Sequence, residues 1–208
     1  VFASALEIKL VHGRWEWFNT TSYRYNNLGG SRVEDNWYEL FTLTYFAQKR
    51  KSFLTAYYAF DNNLLLKVNS RHFGGLGMGI IHDKWTHTDL RVDMGLGYES
   101  TLYGGNNFEN TRSLDPLRAR SVFLVRIING HNFFKGKVRI DNRIFYRQSL
   151  IEGADYYWLI KPTLSSTVAK NLSITISYEY RFENVYLSDL SPTNTVLLGG
   201  LTYRVRRE

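Results

Sequence analysis

What most constrains this chain is a strict alternation of apolar and polar residues that recurs from end to end. In the segment LSITISYEYRF, Leu172, Ile174, Ile176, Tyr178, Tyr180 and Phe182 share one face, and Ser173, Thr175, Ser177, Glu179 and Arg181 share the other. Successive side chains of an extended strand point to opposite sides, so a period of two marks a strand with one apolar face. The segment DLRVDMGLGYE repeats the pattern, with Leu90, Val92, Met94, Leu96 and Tyr98 opposite Asp89, Arg91, Asp93, Gly95, Gly97 and Glu99. In KVRIDNRIFYR, Val138, Ile140, Ile144 and Tyr146 oppose Lys137, Arg139, Asp141, Arg143, Phe145 and Arg147. No segment carries a convincing helical period.

Extending this template predicts eleven strands, near 4–11, 14–25, 36–48, 52–60, 69–82, 87–100, 117–128, 135–148, 156–168, 172–183 and 194–205. Short connectors (His12-Gly13, 48–51, 83–86, 129–134 and 169–171) alternate with longer ones (26–35, 61–68, 101–115, 149–155 and 184–193). Tight turns on one side and long loops on the other are what an outer-membrane barrel shows. No run of about 18 apolar residues is present, which excludes a transmembrane helix, whereas a membrane strand needs only about 9 to 11 alternating residues. Most of the segments also exceed the globular strand mode of about 5 to 6 residues. The expectation is therefore all-β, an up-and-down antiparallel transmembrane β-barrel occupying residues 1–208 as a single outer-membrane domain. Bacterial single-chain barrels have even strand numbers. Twelve strands are expected, the first lying before Val1, and the alternative is ten, with residues 4–25 as one bent strand. Pro162 falls inside a strand and predicts a bulge. The chain opens VFASAL, so any export signal has been removed or lies outside it.

Against a soluble sandwich stands the placement of aromatics, 16% of the chain. Trp15, Trp17, Tyr23, Trp37, Trp85, Tyr98, Tyr146, Trp158, Tyr180 and Tyr203 lie towards strand ends, where amphipathic rings anchor at headgroups. The 26 Lys and Arg outnumber 19 Asp and Glu. They are scattered one or two per strand, which argues against nucleic acid and for outer-membrane lipid and lipopolysaccharide as neighbours, with other outer-membrane or periplasmic proteins as further partners. There is no cysteine for a disulfide or a thiolate metal site.

The polar faces carry Asp89, Arg91, Asp93, Arg118, Arg120, Arg126, Arg139, Asp141, Arg143, Arg147, Glu179 and Arg181. An unpaired charge in a narrow interior is costly, so these residues are expected to form a structural ion-pair network in a largely filled lumen. The basic groups of strands 117–148 also allow a narrow anion-preferring channel. The glycines of Gly74-Gly75-Leu76-Gly77-Met78-Gly79 continue the strand pattern, and so predict room for large side chains across the barrel, not a phosphate loop. His12, His72, His82, His87 and His131 form no metal-ligating spacing and have no convergent serine and carboxylate. The reading is a non-enzymatic barrel with a structural or partner-binding role, without cofactor, metal or catalytic residues. A lipid-modifying outer-membrane enzyme is the remaining alternative.

Several stretches carry a family resemblance: SRHFGGLGMGI followed by TDLRVDMGLGYES, then SLIEGADYYWLIKPTLSSTVAKNLSITISYEYRFEN and the closing TNTVLLGGLTYRV. From about Trp37 onwards they resemble the salt-stress-induced outer-membrane protein family, catalogued as domain of unknown function 481. The resemblance implies a barrel and an outer-membrane address, with no catalytic residues to carry over. It also implies a further amino-terminal strand that this sequence lacks, and a final strand that departs from the common barrel ending by running into Arg206-Arg207-Glu208.

Overall fold

The computed structural model describes residues 2–28, 31–47, 51–85, 88–169 and 171–203, and for 27, 28, 31–33 and 83–85 the backbone alone. Eleven strands follow one another: β1 (Phe2–His12), β2 (Trp15–Leu28), β3 (Ser31–Phe46), β4 (Ser52–Asn63), β5 (Val68–Trp85), β6 (Thr88–Tyr103), β7 (Leu117–Phe133), β8 (Val138–Ser149), β9 (Tyr156–Ala169), β10 (Leu172–Glu183) and β11 (Thr193–Tyr203). They form one sheet in chain order, each strand antiparallel to the next. The ten-strand alternative fails at Gly13. There φ of +59° turns the chain back, and β1 pairs with β2 from His12↔Trp15 to Phe2↔Tyr25. Arg206, Arg207 and Glu208 lie outside the described residues.

Three local expectations are corrected. The supposed long loop at 26–35 is mostly strand, because β2 and β3 stay paired to Leu28↔Ser31 across a register shift at Asn26/Asn27. The turn expected at 129–134 moves outward, since β7 runs to Phe133 and the chain reverses through Phe134, Lys135 and Gly136, all with positive φ. At Pro162 there is no bulge: β8 pairs regularly with it. Towards β10 the ladder lapses between Ser177↔Thr163 and Tyr180↔Ile160 without a change of register. Proline removes a donor, and the sheet absorbs that loss as missing bonds.

The sheet curls until strands far apart in sequence touch. Arg24 on β2 reaches Glu179 on β10 at 2.9 Å, and Arg71 on β5 reaches Glu183 on β10 at 2.6 Å. β1 and β11, the two edges, have no ladder partner on their far sides among the described residues. Burial is inside out. Asp93 and Glu99 are each 1% exposed, whereas Leu76 is 70% and Leu201 72% exposed on the outer face. A continuous apolar exterior of this kind requires an apolar neighbour.

Glycine makes the curl tight. Gly75 pairs with Gly97 and Gly77 with Gly95 on the inner wall of β5 and β6. A Cβ on Gly75 would sit 2.8 Å from the Leu96 carbonyl oxygen and 3.1 Å from the Tyr57 ring, and one on Gly97 2.6 Å from Phe73. The bare backbone is where Tyr57 and Phe73 lie, stacked at 5.9 Å. Outward-facing Gly74 meets nothing within 4 Å.

At the long-loop end, residues 104–116 and 184–192 pack on each other through Tyr103, Phe108, Val185 and Leu187, with Val68 beside them. Phe108 forms an isolated bridge with Leu187 and lies 5.5 Å from the Arg118 guanidinium. Asn107 donates to Ser188 at 2.6 Å, and Lys67 pairs with Asp189.

Candidate functional site

Alternation puts every second residue of each strand on the inner wall, and there the charges sort into three tiers. Nearest the long loops, the buried carboxylate of Glu99 on β6 takes Arg120 at 2.6 Å, Arg71 at 4.0 Å and Arg147 in close contact. Asp155, just before β9, turns inward to Arg120 and to Arg118, the latter at 3.1 Å. Arg118 also meets Glu152 at 2.5 Å, and Arg71 meets Glu183. The tier is balanced: Arg71, Arg118, Arg120 and Arg147 face Glu99, Glu152, Asp155 and Glu183. In a low-dielectric interior, charges persist only with partners of this quality.

Midway down, Asp93 takes the Arg126 guanidinium at 3.1 Å, with Arg91 at 3.9 Å. Arg91 also bonds Glu16 at 3.2 Å and covers the Phe53 ring at 4.1 Å. On the opposite wall Glu179 gathers Arg181 at 2.7 Å, Arg24 at 2.9 Å and Lys161 at 3.3 Å, while Arg143 reaches Glu7 at 3.5 Å. Towards the short turns, Arg139 joins Asp141 at 2.7 Å and Asp89 at 3.2 Å. The structure thus has all twelve charged residues singled out in the sequence on the inner wall, with the middle tier divided between two opposite sides.

Several partners were missed in the sequence. Glu99 sits on the polar face of a predicted strand, separated from Asp93 by the two inward glycines Gly95 and Gly97. Arg71, Glu16, Arg24, Lys161 and Glu183 also obey the alternation. Asp155 gives no such sign, because it lies in a connector and only the fold turns it inward. Outside the barrel wall, the hydrogen bond from Lys67 holds the exposed Asp189 carboxyl below its ordinary range.

These groups leave a cavity of about 530 Å³. Its lining extends from Asn36 and Asn62 near the long-loop end to Phe46, Ile81 and Asp89 near the short turns. Lys9, Arg24, Arg71, Arg91, Arg126, Arg143, Arg147, Lys161 and Arg181 line it against Glu7, Glu16, Asp61, Asp89, Glu99 and Glu179, so basic groups prevail.

The outward aromatics fall into two rows. Towards the short turns stand Trp15, packed on Tyr45 at 5.0 Å, with Trp17 and Tyr203. Towards the long loops stand Trp37 beside Tyr23 at 6.0 Å, Trp158 beside Tyr146 at 4.5 Å, and Tyr98 and Tyr180. Two histidines meet hydroxyls, His72 with Tyr58 and His131 with Thr88, both at 2.9 Å. His87 is outside the described residues. Among those described, no three His, Cys, Asp or Glu converge to hold a metal ion.

A curled meander with an apolar exterior and a charged interior defines a porin-like β-barrel fold. The same fold is seen in the NanC porin structure from a rhombohedral crystal form, with a TM-score of 0.60 at 7% identity over 98% of this chain and 93% of that one. The family model described as "Protein of unknown function, DUF481" matches residues 1–205, and the chain belongs to that family. The match assigns no role in salt stress. A comparison with curated proteins found no match.

Proposed function

We propose that this chain is an integral barrel of the bacterial outer membrane, without catalytic activity, whose lumen is a narrow basic-lined passage for small anions. Only closed barrels and helices satisfy their backbone groups in lipid. The exposed apolar wall between two aromatic rows supports the membrane assignment, and the porin likeness in fold supports the outer membrane. The observation that carries the passage is the cavity whose lining reaches both ends of the barrel with basic groups in excess. Rings of charge of one sign select ions of the other. Outer-membrane lipid and lipopolysaccharide are its surroundings, and nucleic acid is not among its partners.

The balanced tier at Glu99 and the packed loops favour a second reading, a structural or partner-binding barrel whose lumen stays shut. Planar-bilayer conductance separates the two, after a heat-modifiable band on a cold detergent gel has established a folded barrel. A conducting lumen gives anion-preferring current, and Arg139→Glu together with Arg143→Glu shifts the preference towards cations. Folded protein that gives no current removes the passage and leaves the structural barrel.

A further inference from the structure

Two buried carboxylates of the lumen, each with three basic partners, differ in one respect. Glu99 shares its arginines with Asp155 and Glu183, so that each cation there is matched. Glu179, its side chain 4% exposed, is the only carboxylate in direct ion-pair contact with Arg24, Lys161 and Arg181 among the described residues. The next cation on that wall, Arg143, is 46% exposed, and among the described residues its one ion-pair partner is the half-exposed Glu7, at 3.5 Å. With Asp61 and Glu7 both counted against these four cations, one positive charge remains in excess. All four cations line the cavity.

We propose that Arg24, Arg143, Lys161 and Arg181 form a binding site for a small solute bearing one oxyanion group, a carboxylate or a phosphoryl. The inference rests on the basic passage described above and names its point of contact. An entering oxyanion takes the N–H groups that Glu179 leaves unused, because charge-assisted bonds to carboxylate and phosphate are the strongest a guanidinium makes. Arg143 and Lys161, the most exposed of the four, swing to it. Glu179 holds Arg24 and Arg181 in place and limits the site to one anion.

The test is titration calorimetry of refolded protein in neutral detergent with a hexuronate, inorganic phosphate and a neutral hexose. Bilayer conductance is read on the same preparation. Saturable binding of the hexuronate, the phosphate or both is expected, the two arms telling a carboxylate ligand from a phosphate one, with none for the hexose. Arg143→Gln and Lys161→Gln should each weaken binding about tenfold while the heat-modifiable band is retained. Binding unchanged in both variants, equal binding of the hexose, or no binding overturns the site. Conductance without binding leaves the passage standing and removes the site. Binding without conductance keeps the site and removes the passage.

Discussion

Replacing Glu99 by Gln removes the carboxylate that Arg71, Arg120 and Arg147 share in the tier nearest the long loops. The side chain keeps its size, but Arg71, Arg120 and Arg147 lose their shared counter-ion at a position 1% exposed to solvent. Breaking a buried pair by removing one partner costs about 3 to 5 kcal/mol, because the remaining charge stays desolvated. Asp155 and Glu183 still neutralise part of the cluster, which favours the lower end. With a slope of about 3 kcal/mol per molar urea, the unfolding midpoint falls by about 1 M. The assay is urea unfolding of the barrel in lipid vesicles, followed by loss of the heat-modifiable band and by tryptophan emission. Exposed Glu109→Gln serves as the control and should move the midpoint by no more than about 0.5 kcal/mol equivalent. Adding Arg120→Gln to Glu99→Gln should cost less than the sum of the single changes, since the pair is directly coupled. A Glu99→Gln shift no larger than the control would refute the reasoning. The tier would then be hydrated, with pairs worth no more than exposed ones.

Other changes test other parts of the molecule. Gly95→Leu, whose Cβ would run into the Leu76 carbonyl and the Tyr57 hydroxyl, should abolish the heat-modifiable form, whereas outward Gly74→Leu should retain it. Phe108→Ala removes the ring joining the two long loops and should raise both conductance and protease cleavage within 104–116; unchanged values would mean that these loops do not obstruct the mouth. The Asp189 carboxyl lies below its ordinary pKa, so its tie to Lys67 is present above the usual carboxylate range and lost only as pH falls through the still lower folded value. The protection factors for hydrogen exchange in 184–192, corrected for the intrinsic pH dependence of amide exchange, should therefore stay constant from about pH 7 to about pH 5 and fall only in stronger acid.

The strands were legible because period two is written into each one separately. The split between Asp93 and Met94, or Glu179 and Tyr178, requires no knowledge of neighbours. Loops were less legible, since turn-forming composition does not say whether a segment is paired: Asn26, Asn27 and Arg32 read as loop yet lie in a ladder. Pro162 shows the same limit, because whether proline interrupts a sheet depends on which neighbour its nitrogen faces. The polar wall was visible, but its partition into a balanced tier around Glu99 and a basic one around Glu179 was not. That partition depends on contacts across the barrel, such as Arg24 to Glu179, 155 positions apart.

The odd number of strands among the described residues gives the sheet's two edges a common polarity. β1 and β11 both run from the long-loop end to the short-turn end. Direct zipping of one edge to the other would therefore create the sole parallel pair in a sheet otherwise built from hairpin-like neighbours. A strand travelling the opposite way can hydrogen-bond both edges in the antiparallel manner used everywhere else. Among the described residues, the antiparallel pattern would be continued across the seam only by extended backbone running from the short-turn end to the long-loop end.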